Sequence, residues 1–230
     1  MADKAVHIEG RALAFVSYGV DRRCTRNSLR GIRVEYHGGR AICVATDGTM
    51  MLYARSSFLC AEAFEAFTLD WSKATRLIHI CREWDVRSVS FEADPAMDRA
   101  PSTRWFVWEA LDRTGTSMER GFVSSLPSER VFPNWRDVLA EKARAEVIPW
   151  LEIPTKQLAR ASHAVRSYTK EGNFPVRLTA QPAGLPAVLE IPLCPDAGGV
   201  IMPNRGGRHG GDHSYTIPEW AMPVAEETAA

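Results

Sequence analysis

An α+β fold assembled from repeated helix-plus-β-meander units is what this sequence predicts, and three observations predict it. Apolar and polar residues alternate across 32–53 around two glycine-bearing turns, the pattern of short antiparallel strands. Two later stretches, 72–85 and 155–167, place apolar residues at helical spacing and carry a separate basic face. After Leu151 the order of helix and then short strands begins again, an internal echo at low sequence identity.

Taken in order, Leu13, Val16 and Val20 recur at i, i+3 and i+7, which predicts a helix over 8–20 closed by Asp21-Arg22-Arg23. Ile32, Val34 and Tyr36 then share one parity, Gly38-Gly39 turns the chain, and 41–44 runs into Thr46-Asp47-Gly48 before 50–53. Glycine supplies the positive φ such turns require, and an aspartate can bond its own backbone there. Residues 56–67 read as an apolar connection without an assigned element. Asp70 is an N-cap for a helix over 72–85, with Ala74, Leu77, Ile78, Cys81 and Trp84 at core spacing. Lys73, Arg76, His79 and Arg82 recur every three residues on another side of it.

Strands follow at 86–92, 104–111 and 119–124, the first two separated by the polar, proline-containing loop DPAMDRAPST. Val131 to Leu139 leads into EKARAE, a linker or short helix. Ile153-Pro154-Thr155 opens the helix over 155–167, in which Leu158, Ala161 and Val165 are core-spaced and Lys156, Arg160, His163 and Arg166 form the basic face. Strands at 175–179, 187–191 and 199–202 complete the echo. Beyond Arg205 glycine, polar and acidic residues dominate without periodicity, which predicts a flexible tail in which Trp220 and Met222 are the only candidate anchors for a groove.

Composition bounds the function less tightly than the pattern does. With 230 residues the chain can bury a sizeable core, and 45% hydrophobic and 24% charged residues place it among globular domains. Lys plus Arg equals Asp plus Glu at 28 each, so any binding to nucleic acid must come from locally clustered charge. Cys24, Cys43, Cys60, Cys81 and Cys194 are odd in number and form no CxxC pair, which argues against a disulfide framework or a structural zinc site and for reduced, mostly buried thiols. No basic segment leads into a long apolar run, and no membrane span is evident, so the cytoplasm is the expected location. There is no GxxxxGK[ST], GxSxG or HExxH, and spacing pairs no base with Asp47, so no catalytic residue is expected. His209, Asp212 and His213 of RHGGDH read as an unliganded loop rather than a metal site, and no cofactor is expected.

Three separated segments carry a resemblance to a known family. Val44-Ala45-Thr46-Asp47-Gly48, then Phe132-Pro133-Asn134-Trp135, then Val200-Ile201-Met202-Pro203-Asn204-Arg205 resemble, in that order, motifs of the bacterial DNA polymerase sliding clamp, the β subunit of the replicative polymerase. The likeness runs from about Ala5 to Arg205. It implies a DNA-clamp fold with antiparallel sheets outside and helices inside, with a two-unit domain over 1–145, a partial domain over 146–205 and the tail over 206–230.

The family's closed rings place twelve helices around DNA, so three units per chain would imply four subunits and a pair of full domains three. The resemblance further implies a processivity factor that encircles double-stranded DNA without reading its sequence, as a homo-oligomer, and tethers a DNA polymerase or other clamp-binding proteins. Lys73, Arg76, Arg82, Lys156, Arg160 and Arg166 would face the phosphates. Thr46, Gly48, Met50, Met51, Pro133, Val138, Val200, Met202 and Pro203 would line a groove for partner peptides. Thr49-Met50-Met51 stands where the family commonly has His-Arg-Leu, which implies an altered or lost pocket. The competing expectation is a clamp-fold binding module that captures or blocks replication proteins without sliding.

Overall fold

Alternation along the early strands sets the layers of the molecule, which a computed structural model describes at residues 5–20, 26–97, 102–127, 132–140, 153–172, 174–179 and 185–202. A first unit comprises β1 (Val6–Glu9), α1 (Gly10–Val16), a 3-10 turn at Ser17–Gly19, β2 (Gly31–His37), β3 (Arg40–Thr46) and β4 (Met50–Leu59). A second repeats it with β5 (Phe67–Asp70), α2 (Trp71–Glu83), β6 (Ser88–Ala93), β7 (Trp105–Leu111) and β8 (Ser117–Ser124). After α3 (Trp135–Ala140), a third helix-plus-meander runs through α4 (Thr155–Thr169), β9 (Arg177–Thr179), β10 (Ala187–Glu190) and β11 (Ala197–Ile201).

The lead strand of each of the first two units is donated to the other's sheet. The orders are β1-β6-β7-β8 in a four-stranded sheet and β5-β2-β3-β4-β11-β10-β9 in a seven-stranded one, all antiparallel. The third meander therefore adds to the first through β11 on β4, with Val200 opposite Met51. No side chain fits between these two strands at Gly199, where a Cβ would stand 2.4 Å from the Met51 carbonyl oxygen.

Strand parity assigns the two faces of the larger sheet. Ile32, Val34, Ala41, Cys43, Ala45, Met50, Leu52 and Ile201 point into the main core with the helices. Ile42, Val44, Met51, Tyr53, Val188 and Val200 point the opposite way, where Phe132, Trp135 and Leu139 cover them as a second apolar cluster. On the helical side α1 packs against both α2 and α4 and lies over β4. Asp70 does cap α2, accepting the Ser72 amide at 2.8 Å.

Several expected boundaries and core positions change. The helix expected over 8–20 is only Gly10–Val16, because Val6 and Ile8 are committed to β1 opposite Phe91 and Val89, and Val20 lies past the 3-10 turn in extended backbone. Ala12, Leu13, Ala14, Phe15 and Val16 are all buried, so this helix has no amphipathic stripe for a periodicity to reveal. Trp84 is not a core residue of α2. It occupies the extended C-cap and is 38% exposed. Leu158, in the first turn of α4, is 40% exposed, and Ala164 and Tyr168 fill the core in its place. The segment 56–67 is partly strand, since β4 continues to Leu59. EKARAE and the tail lie outside the described residues.

Candidate functional site

The turn between β3 and β4 is held by its own side chains. Thr46 Oγ1 donates to the Met50 carbonyl at 2.9 Å and accepts the Gly48 amide at 3.0 Å. One carboxylate oxygen of Asp47 accepts from the Thr49 amide at 2.8 Å, the Thr49 hydroxyl at 2.7 Å and the Met50 amide at 2.9 Å. Gly48 has φ +86°, a conformation in which a side chain is strained although no atom crowds the site. The other carboxylate oxygen receives the Arg160 guanidinium at 2.5 Å, in a pair whose side chains are only 5% and 16% exposed. Burial pushes the Asp47 carboxyl up, but hydrogen bonds from Arg160 and Thr49, with the guanidinium charge, outweigh it and hold the group below its ordinary value.

Beside this turn runs the outer face of the larger sheet. Thr46, Met51 and Val200 stand abreast on β3, β4 and β11, and the Met202 amide donates to the Thr49 carbonyl at 2.8 Å. Val138 packs half-buried on the same cluster, and Pro133 is exposed just before α3. These expected groove residues share one face, but Thr46, Met51 and Val200 are buried there, and Phe132, Trp135 and Leu139 of the same chain pack with Met51 and Val200. Met50 does not join them: its parity sends it into the main core, where it is 1% exposed. Pro203 lies outside the described residues.

Trp135 belongs to a segment quoted for the resemblance, but its role in seating α3, and Glu35, were missed from sequence. Trp135 is buried, stacks on Tyr53 at 5.7 Å between centroids and donates its indole N–H to Glu35 at 3.2 Å. Arg136 reaches the same carboxylate oxygen at 2.7 Å, and Arg33 donates to the other at 3.2 Å. Burial raises the Glu35 carboxyl, but Arg136 by hydrogen bond and charge, with Trp135 and Arg33, brings it below its ordinary value. Glu35 was not singled out in the sequence, since Trp135 and Arg136 lie about a hundred residues further along the chain.

The basic residues divide. Lys73, Arg76 and His79 on α2, and Lys156, His163 and Arg166 on α4, are exposed. No acidic residue occurs between Trp71 and Arg82 or between Thr155 and Lys170. Arg76 forms a bidentate pair with Glu119 at 2.7 and 2.6 Å. Arg82 and Arg160 do not project as expected, because both turn onto Tyr18, another residue the sequence did not single out. Arg82 donates to Ser17 Oγ at 2.9 Å with its guanidinium 3.9 Å from the Tyr18 ring centroid, and Arg160 forks onto the Tyr18 carbonyl at 2.9 and 2.6 Å. The described residues contain no group of three His, Cys, Asp or Glu that could hold a metal ion, and no helix among them is long and apolar enough to cross a membrane. The RHGGDH histidines lie outside them.

This fold, a helical layer backed by antiparallel sheets, is shared with DNA polymerase III β sliding clamps, the family the three sequence segments resembled. A DNA polymerase III β subunit from Thermotoga maritima superimposes with a TM-score of 0.58 at 9% identity, over 90% of this chain and 67% of that one. A DNA polymerase sliding clamp from Caulobacter crescentus gives 0.57 at 18%, over 90% and 67%, and a DNA polymerase III β subunit from Pseudomonas aeruginosa gives 0.53 at 16%, over 88% and 66%. The chain thus spans about two thirds of the length of these neighbours. No protein-family model matches the sequence, and no curated protein does.

Proposed function

We propose that this chain is a shortened, sliding-clamp-like processivity factor that encircles duplex DNA as a homo-oligomeric ring and tethers partner proteins on its outer face. The observation that carries this reading is the division of labour across one clamp fold: acid-free stretches on α2 and α4 on the helical side, and an apolar face beside a rigid turn on the other. Lys73, Arg76, Lys156 and Arg166 would meet phosphates through loose ion pairs, which hold DNA without fixing its register. Such a surface needs several copies, since one exposed cation acts only over a Debye length of about 8 Å. Gly48, Val138 and Met202, exposed or half-buried, would receive an apolar partner peptide, for which methionine's adaptable side chain is suited, and the buried Thr46, Met51 and Val200 would support them from below.

Internal symmetry supports assembly. β4, the last strand of the first meander, is extended by a strand from another unit, β11. Its counterpart in the second meander, β8, ends its sheet among the described residues and carries Met118 exposed and Phe122 55% exposed. An edge of this kind accepts a neighbouring chain. Three clamp helices per chain would bring four chains to the twelve of a closed ring.

The test is retention on DNA. The ring predicts a trimer or tetramer by solution mass and salt-dependent retention on circular DNA, with loss from linear DNA. The second reading, a clamp-fold module that binds replication proteins without sliding, is favoured by the engagement of Arg82 and Arg160 within the chain and of Arg76 with Glu119. A monomer that binds clamp-interacting proteins but is not retained on circular DNA would establish it instead.

A further inference from the structure

Arg160, on α4, reaches the β3–β4 turn through an ion pair. Its Nη1 meets Asp47, while Nε and Nη2 close on the Tyr18 carbonyl, so a single planar fork joins α4, the 3-10 turn after α1 and the end of the larger sheet. Tyr18 is held from its other sides by Arg82 over its ring and by His163, stacked with centroids 6.1 Å apart. Asp47 in turn holds the Thr49 and Met50 amides, and the Thr49 carbonyl holds Met202 on the outer face. The links form an unbroken series from the basic helix to the proposed peptide groove.

We infer that Arg160 is a positioning residue for that groove and not a phosphate ligand. Its guanidinium fixes the Asp47 carboxylate, which fixes the turn, which sets where Met51 and Met202 stand. A lysine keeps the charge but gathers its three donors on one nitrogen, so it does not reproduce the planar fork whose separate nitrogens meet Asp47 and the Tyr18 carbonyl. The assignment rests on the proposed function, in that the groove is the one described there.

The experiment uses the full chain with Arg160→Gln, Arg160→Lys, Asp47→Asn and, as the surface control, Arg166→Gln. Amide hydrogen exchange reads the turn, methyl NMR of labelled methionines reads the groove, and a short duplex DNA titrated over a range of salt reads phosphate contact. Arg160→Gln and Asp47→Asn should each speed exchange of the Gly48, Thr49 and Met50 amides by about tenfold, the effect of losing one or two buried hydrogen bonds. They should move the Met51 and Met202 methyl signals and leave Met97 and Met118 in place, and Arg160→Lys should not restore them. The slope of log affinity against log salt should stay at the parent value for Arg160→Gln and fall by about one for Arg166→Gln.

A fall of about one for Arg160→Gln, or an unchanged turn and unchanged methyl signals in both Arg160→Gln and Asp47→Asn, would overturn the assignment. If the parent chain binds no DNA, the ring reading fails on its own, and exchange and methyl shifts still decide the role of Arg160.

Discussion

Replacing Trp135 by alanine tests whether α3 is an integral part of the sheet's outer face. The side chain is 1% exposed, and a buried aromatic removes about 150–250 Å² from water. At about 25 cal/mol per Å² that burial corresponds to about 4–6 kcal/mol, an upper bound because unfolded chains already bury part of it. Loss of the indole bond to Glu35 adds about 1 kcal/mol, since Arg136 and Arg33 still satisfy the carboxylate. Detachment of the short α3 as a unit limits the penalty, so the expected loss is about 3–5 kcal/mol. Trp135→Phe keeps most of the packing and loses the hydrogen bond, at about 1–2 kcal/mol. Urea unfolding followed by circular dichroism, with slopes compared among variants, measures both. A Trp135→Ala unfolding free energy within about 1 kcal/mol of the parent would refute the burial reasoning, and equal losses for the two variants would assign the effect to the hydrogen bond.

Other outcomes follow from features already described. Asp70→Ala removes the cap on α2 and should cost about 1 kcal/mol in the same assay. Asp47 and Glu35 both have carboxyls below their ordinary values in the folded chain. Their contribution is therefore complete above the unfolded carboxylate range near pH 4 and is lost as pH falls through it toward the folded values. Stability measured against pH should drop there, and more gently in Asp47→Asn. Gly199→Val forces a side chain against the Met51 carbonyl and should separate β11 from β4, seen as rapid exchange of the Met51 and Val200 amides. Burial raises the Cys43 and Cys81 thiols, the latter to about 12, so both should stay unreactive to a thiol reagent in the folded chain while half-buried Cys60 and Cys194 react.

Legibility in the sequence followed the local periods. The strands from Ile32 to Tyr53 were readable from the glycine-bearing turns that join them, although β3 and β4 are buried on both faces, and the capped helix after Asp70 was readable because one of its faces is buried and the other is not. The helix after β1 was misjudged because every residue in it except Arg11 is buried, and Ile8, read as its start, belongs to a strand whose partner β6 lies far along the chain. Candidate groove residues on one strand parity did converge. Met50 failed because a one-residue step reverses the face of a strand. Arg82 and Arg160 sat at the right spacing for an exposed basic face, and helical spacing cannot reveal that Tyr18 and Asp47 stand within their reach. The contacts of Trp135 and Arg136 with Glu35 were invisible for the same reason: these residues are distant in sequence from Glu35 and meet it only once α3 folds onto the sheet.

The β4–β11 ladder also sets a timetable. β4 lies inside the finished sheet, yet Met51 pairs with Val200 across the longest stretch of chain bridged by any ladder here. During synthesis the first two units can form while one edge of β4 still lacks its neighbour, and closing so distant a contact is slow. Through that interval its unpaired amides and carbonyls, with Met51 and Tyr53 alongside, are open to pairing with another nascent chain. Yield of native protein should therefore depend on how quickly translation passes from the first meander to β11.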